Sequence, residues 1–262
     1  MTGDTLFLLP FLSGLLVAAS LSLLGALLRL REEWLAALGF AHLAGAGGLI
    51  GLALHLPVVL GAALGAAAGA LLKGLGRLHG NTVYALMMLA GWSATLLMAA
   101  NSALGSVMGH AMVEGQLYFA GDLHLVAAVA LGGVTLAGLR WLMPALVRER
   151  LLPGQDAANR LPTRRRHLGF DLLTALGMAV GTATIGLMGA FALVFVPPWL
   201  AFRVARRWRQ ALAISVGFGL AGYTAAFALA LVLDQPFGPV LVGLLLTTAG
   251  GLSVVSRRLS GA

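Results

Sequence analysis

The apolar stretches of this chain are long enough to span a bilayer, and all seventeen of its Lys and Arg residues fall in alternate intervals between them. The cations form five clusters: Arg29/Arg31, Lys73/Arg77, Arg140 to Arg166, Arg203 to Arg209, and Arg257/Arg258. Between successive clusters there is room for two crossings, one outward and one returning. Short cytoplasmic loops collect Lys and Arg, so all five clusters are assigned to the cytoplasm. The acids follow no such rule. Asp4, Glu114, Asp122 and Asp234 fall in the opposite loops, Glu32, Glu33, Glu149 and Asp156 among the cations, and Asp171 within a span. The expected architecture is all-α: a multi-pass inner-membrane protein with about 8–9 transmembrane helices in one bundle, residues 1–262 forming one domain.

Composition narrows the function classes. Apolar residues make up 60% and charged residues 10% of the chain, far from soluble-domain values. A net charge of +8 would ordinarily point to nucleic acid. Here the cations lie in loops between spans, with no basic face and no interleaved aromatics, so nucleic acid is excluded as a partner. They orient the chain and meet anionic lipid or a cytoplasmic protein. The absence of cysteine excludes disulfides, thiolate metal sites and thiol catalysis. The opening MTGDTLFLLPF has no basic n-region, so the first span is expected to target the chain itself.

Nine crossings follow from the apolar pattern: Leu6 to Leu30, Trp34 to Leu54, Val58 to Leu72, Thr82 to Ala100, Leu123 to Val147, two within Leu168 to Ala201, Ala211 to Leu233, and Pro239 to Val255. The third, at about 15 residues, must borrow flanking residues to cross. Leu168 to Ala201 is too long for one span and is expected to turn near Gly181 to Gly189. An odd number of crossings places the carboxyl terminus in the cytoplasm and the amino terminus outside.

Glycine is abundant, at 36 residues, with four-residue spacing at Gly47/Gly51 and Gly61/Gly65/Gly69. That spacing lines small residues along one helix face and lets backbones approach closely in lipid. Two inner segments stand out. Pro197-Pro198 should kink or end a helix and leave a basic amphipathic segment carrying Arg203, Arg206, Arg207 and Arg209 on the cytoplasmic face. The loop LLPGQDAANRLPTRRR has room for one or two short helices. Both are membrane-anchoring rims or docking surfaces for a soluble protein.

Four segments in order resemble the membrane-spanning permease of bacterial ATP-binding-cassette importers for zinc, manganese and iron. They are GFAHLAGAGGLIG (Gly39 to Gly51), GQLYFAGDL (Gly115 to Leu123), GAFALVFVPPWLAFRVARR (Gly189 to Arg207) and LDQPFGP (Leu233 to Pro239). The resemblance spans about Arg29 to Arg258 and implies a type II importer permease fold, paired as a homodimer or with a similar permease, with the pathway between subunits. It further implies cytoplasmic ATPase subunits below, an extracytoplasmic solute-binding protein above, and no hydrolytic activity in the chain itself. The metal is substrate rather than resident cofactor, zinc ahead of manganese or iron. Coupling to the ATPase is expected at Asp156, Arg160, Arg203, Arg206 and Arg207.

His42 is the candidate metal contact. In the family it follows an aspartate one helical turn earlier, on the same helix face; here that position is Leu38. Two subunits would offer two imidazoles, too few for a closed zinc site but compatible with a transient one. The alternative is a histidine hydrogen-bonded within the bundle. His110, Glu114, Asp122 and His124 are candidates for guiding a cation at the outer mouth, or ordinary interfacial groups. Asp171, close after Arg164 to Arg166, reads as an inner salt bridge sooner than a metal ligand, given the cost of a carboxylate in the membrane. Two other functions are open to such a chain: a permease of the same architecture for another solute such as a metal complex, and an intramembrane hydrolase, which would need Asp122 and Asp171 at one depth.

Overall fold

The computed structural model describes residues 3–76, 80–101, 115, 117, 120–159, 161 and 163–260. Their elements are α1 (Gly3–Arg31), α2 (Leu35–Ala53), α3 (Val58–Leu75), α4 (Asn81–Asn101), α5 (Asp122–Leu151), the short α6 (Gln155–Ala158), α7 (Arg164–Ile185), α8 (Leu187–Val204), α9 (Trp208–Leu233) and α10 (Phe237–Ser260). All but α6 contain segments long and apolar enough to cross a membrane, which bears out the nine expected spans among the described residues. A helix satisfies most of its backbone polar groups internally, which is what lipid demands of a spanning segment.

The long apolar stretch is divided where expected. α7 ends at Ile185, and Gly186 takes φ 86° and ψ 160°, a conformation open to glycine and strained for any other residue. α8 then begins at Leu187 and packs back along α7. α3 extends to Leu75, three residues beyond its apolar core, as a short span must. That extension draws Lys73 out of the expected inner loop and into the last turn of the helix, where its side chain is buried.

The glycine pattern sets how closely helices approach. A β-carbon on Gly61 would lie 2.5 Å from the carbonyl oxygen of Gly47 and 3.0 Å from the Cα of Gly51. α2 and α3 therefore touch backbone to backbone along this face, as small-residue spacing allows. α1, α2, α7 and α8 form the interior of the bundle, packed around Leu21, Phe40, Phe170, Met178 and Leu193. α4 turns most of its apolar side chains outward, among them Leu86, Leu89 and Leu97.

The proline pair does not end its helix. α8 continues through Pro197 and Pro198 to Val204. The two prolines free the carbonyls of Leu193 and Val194, and α1 receives both. The Ser22 hydroxyl donates to the Leu193 carbonyl oxygen at 3.4 Å. The Val194 oxygen sits against Gly25, where a methyl group would collide with it. The expected separate basic segment is accordingly corrected. Arg203 belongs to the last turn of α8, Arg206 and Arg207 to the link, and Arg209 to the first turn of α9.

Candidate functional site

His42 lies near the middle of α2, about 10 Å along the axis from Leu35. Its side chain is buried. Nδ1 stands 2.8 Å from the carbonyl oxygen of Leu38. A carbonyl cannot donate, so Nδ1 carries the proton and Nε2 keeps its lone pair. A backbone carbonyl fixing one ring nitrogen is the arrangement that orients a histidine ligand in metal sites generally. It also satisfies a structural histidine equally well. The ring packs against Trp92 of α4, with centroids 5.7 Å apart and planes tilted by 59°. Gly91 permits this approach, since a β-carbon there would fall 2.5 Å from the His42 carbonyl carbon.

Leu38 supplies a backbone oxygen to the ring but no carboxylate. Among the described residues no group of three or more His, Asp or Glu could hold a metal ion. Among the described residues, one chain therefore offers a single imidazole at this depth.

At the cation-rich end of the bundle lies a buried ionic cluster that spacing arguments placed only in part. The Asp171 carboxylate receives Lys73 at 2.7 Å and Arg31 at 3.3 Å. Glu33 takes Arg31 at 2.8 Å, and the Tyr84 hydroxyl donates to Glu33 at 3.0 Å while accepting a hydrogen bond from Lys73. Asp171 is thus a salt-bridge residue, as expected, but its partners are Arg31 and Lys73; Arg166 pairs elsewhere. Two cations and two carboxylates balance, and four segments (the α1 end, α3, the α4 start and α7) are tied at one depth. No local motif joins these residues, whose separations reach 140 positions.

The coupling candidates divide. Asp156 is buried, holding Arg148 at 2.9 Å and Arg166 at 3.2 Å, so its carboxylate clasps α6 to the flanking helices. Arg203, Arg206 and Arg207 are exposed. Arg203 lies over the Trp199 ring, 4.1 Å from its centroid, and the Arg206 backbone N–H donates to Gln210 Oε1 at 3.1 Å. Arg160 falls outside the described residues.

Of the outer-mouth candidates, His110 and Glu114 fall outside the described residues. Asp122 is exposed on the first turn of α5, where a carboxylate suits the positive helix end. His124 is half-buried; its Nδ1 accepts the Gly121 N–H at 3.3 Å, and its ring lies beside the backbone of Ala183. Asp171 precedes Ala183 by twelve positions on α7, about 18 Å of helix. Asp122 and Asp171 are therefore at opposite ends of the bundle and form no catalytic pair.

The family profile described as "ABC 3 transport family" matches residues 4–255. Among solved structures, PsaBC from Streptococcus pneumoniae in complex with Fab superposes with a TM-score of 0.78 at 14% identity, covering 94% of this chain and 89% of that one. An inward-facing metal-chelate type ABC transporter superposes with a TM-score of 0.68 at 14% identity, covering 95% and 85% respectively. At such identities these two structures establish the shared fold.

Proposed function

This chain belongs to the ABC 3 transport family, and on that premise we propose that it carries a divalent transition metal across the cell membrane into the cytoplasm. The family is a membrane transport component and not an enzyme; ATP hydrolysis belongs to a separate subunit. The observation carrying the metal reading is His42: an imidazole buried near mid-span, oriented by a backbone carbonyl, with no hydrogen bond to its Nε2 among the described residues. The cargo is read as zinc first, then manganese or iron; a neutral imidazole favours zinc and iron over manganese, which prefers oxygen donors. Two copies would bring two imidazoles to a shared path, a site loose enough to release what it binds.

In this reading the cation-rich ends of the helices face the cytoplasm, the carboxyl terminus among them. The exposed arginines of the α8–α9 link meet the ATPase, and an extracytoplasmic binding protein delivers the metal from the other side. A second reading, a metal complex as cargo, draws on Leu38: a site without carboxylates binds a bare cation less firmly. The fold shared with a metal-chelate type transporter is compatible with it. Uptake of radiolabelled zinc, manganese and iron by cells carrying the full transporter separates the two. Loss of uptake for all three free ions on deletion of the chain supports the first; unchanged uptake of every free ion overturns it.

A further inference from the structure

A half-open cavity of about 750 Å³ lies at the cation-rich end between α1, α8 and the end of α5. Its wall combines Arg29, Glu32 and Arg150 with the aromatic rings of Trp34, Phe195 and Phe202. The charge there is unbalanced. Arg29 is exposed and, among the described residues, has no carboxylate within ion-pair distance; its guanidinium rests over Phe202, 5.5 Å from the centroid. Arg203 stands near enough to repel it and Glu32 near enough to attract it, so the three cavity charges Arg29, Glu32 and Arg150 leave one positive charge over. Arg150 reaches Glu32 at 2.6 Å, but both side chains are more than half exposed, and so wet a pair holds weakly. Glu32 itself adopts φ 58°, left-handed backbone at the turn after α1.

We propose that this cavity binds an anionic glycerophospholipid of the cytoplasmic leaflet, its phosphate between Arg29 and Arg150 and its acyl chains along the Phe195 and Phe202 wall. Three features select a lipid over a soluble anion: the cavity opens at the level where Lys and Arg meet headgroups, Leu28, Val194, Phe195 and Phe202 give its lining an apolar share, and Trp34 lines it as interfacial tryptophans do. A guanidinium stacked on an aromatic ring is weakly hydrated and prepared for bidentate phosphate contact. The assignment to the cytoplasmic leaflet rests on the orientation proposed above; the binding itself does not, and it is independent of the transported solute.

The test uses the purified full-length protein in detergent mixed with brominated lipids. The quenching due to Trp34 is the difference between wild type and Trp34→Phe. Brominated phosphatidylglycerol should quench that component at concentrations well below those of brominated phosphatidylcholine, by about fivefold for each arginine engaged. Arg29→Gln combined with Arg150→Gln should abolish the preference, whereas Arg29→Lys should keep part of it and Arg209→Gln all of it. A circular dichroism spectrum unchanged from wild type establishes that each variant is folded. Equal quenching by the two lipids, as expected if a second copy or a soluble subunit covers the cavity, overturns the proposal. So does an equal loss of preference in Arg209→Gln, or full displacement of the lipid by millimolar inorganic phosphate.

Discussion

The carboxylate of Asp171 lies 2.7 Å from the ammonium group of Lys73, and both side chains are about 5% exposed or less. Removing Asp171 leaves two buried cations, Lys73 and Arg31, sharing the one carboxylate of Glu33, and losing a buried ionic partner costs about 3–5 kcal/mol. Asp171→Ala should therefore lower the melting temperature in detergent sharply and reduce the amount of folded protein in the membrane. Adding Lys73→Met in the same chain should recover much of the loss. If Asp171→Ala melts like wild type, the ionic cluster does not hold α3 to α7.

His42 provides the test of the metal path. His42→Ala removes the one mid-span imidazole among the described residues and should cut metal uptake by more than about tenfold, in the range seen when metal-site groups are lost. A hydrogen bond to Leu38 alone contributes only about 0.5–1.5 kcal/mol, so protein levels should hold. Leu38→Asp should rebuild a His–carboxylate pair one turn apart and tighten binding while slowing release. Wild-type uptake of zinc, manganese and iron by both variants would make His42 a packing residue.

Gly25 tests whether the proline-bearing helix depends on close contact with α1. Gly25→Ala would drive a methyl group into the Val194 carbonyl, and overpacking of this kind costs about 1–3 kcal/mol or more. The matched control is Gly243→Ala, where nothing lies within 4 Å of the added carbon. Thermal unfolding should separate the two variants. Equal melting would mean that α1 and α8 can part without loss.

Coupling is read from co-purification. Arg206→Glu with Arg207→Glu reverses two exposed charges in the α8–α9 link without disturbing a buried contact. The expected result is weaker recovery of the cytoplasmic ATPase with membrane insertion intact. Unchanged recovery and unchanged uptake would remove this link from the contact surface.

Orientation has an independent readout. A reporter fused after Arg258 should be active in the cytoplasm, and a tag placed between Gly115 and Asp122 should react with an impermeant label from outside. Labelling of the segment from Arg148 to Arg166 from outside would invert the topology.

What the sequence determined by itself is the part of this protein governed by short-range rules. Span number, a turn between Gly181 and Gly189, and glycine faces fit for close helix contact were all readable, because bilayer thickness, glycine conformation and four-residue helix spacing act within a few turns of chain; that the turn falls at Gly186 and that the two glycine faces meet each other was not. The presence of His42 and the loss of a carboxylate at Leu38 were equally legible. Only the tertiary structure decided which distant groups meet. Lys73 looked like a loop cation until α3 was seen to carry it beneath Tyr84 and Asp171. Asp156 looked like a docking carboxylate until Arg148 and Arg166 closed around it. Pro197 looked like a helix kink or end because its rule counts only the helix's own hydrogen bonds. It could not anticipate that Ser22, 171 positions before Leu193, would take up the carbonyl the proline leaves free. A buried charge or an orphaned carbonyl must find a partner somewhere; where that partner comes from is set by how the helices pack in three dimensions.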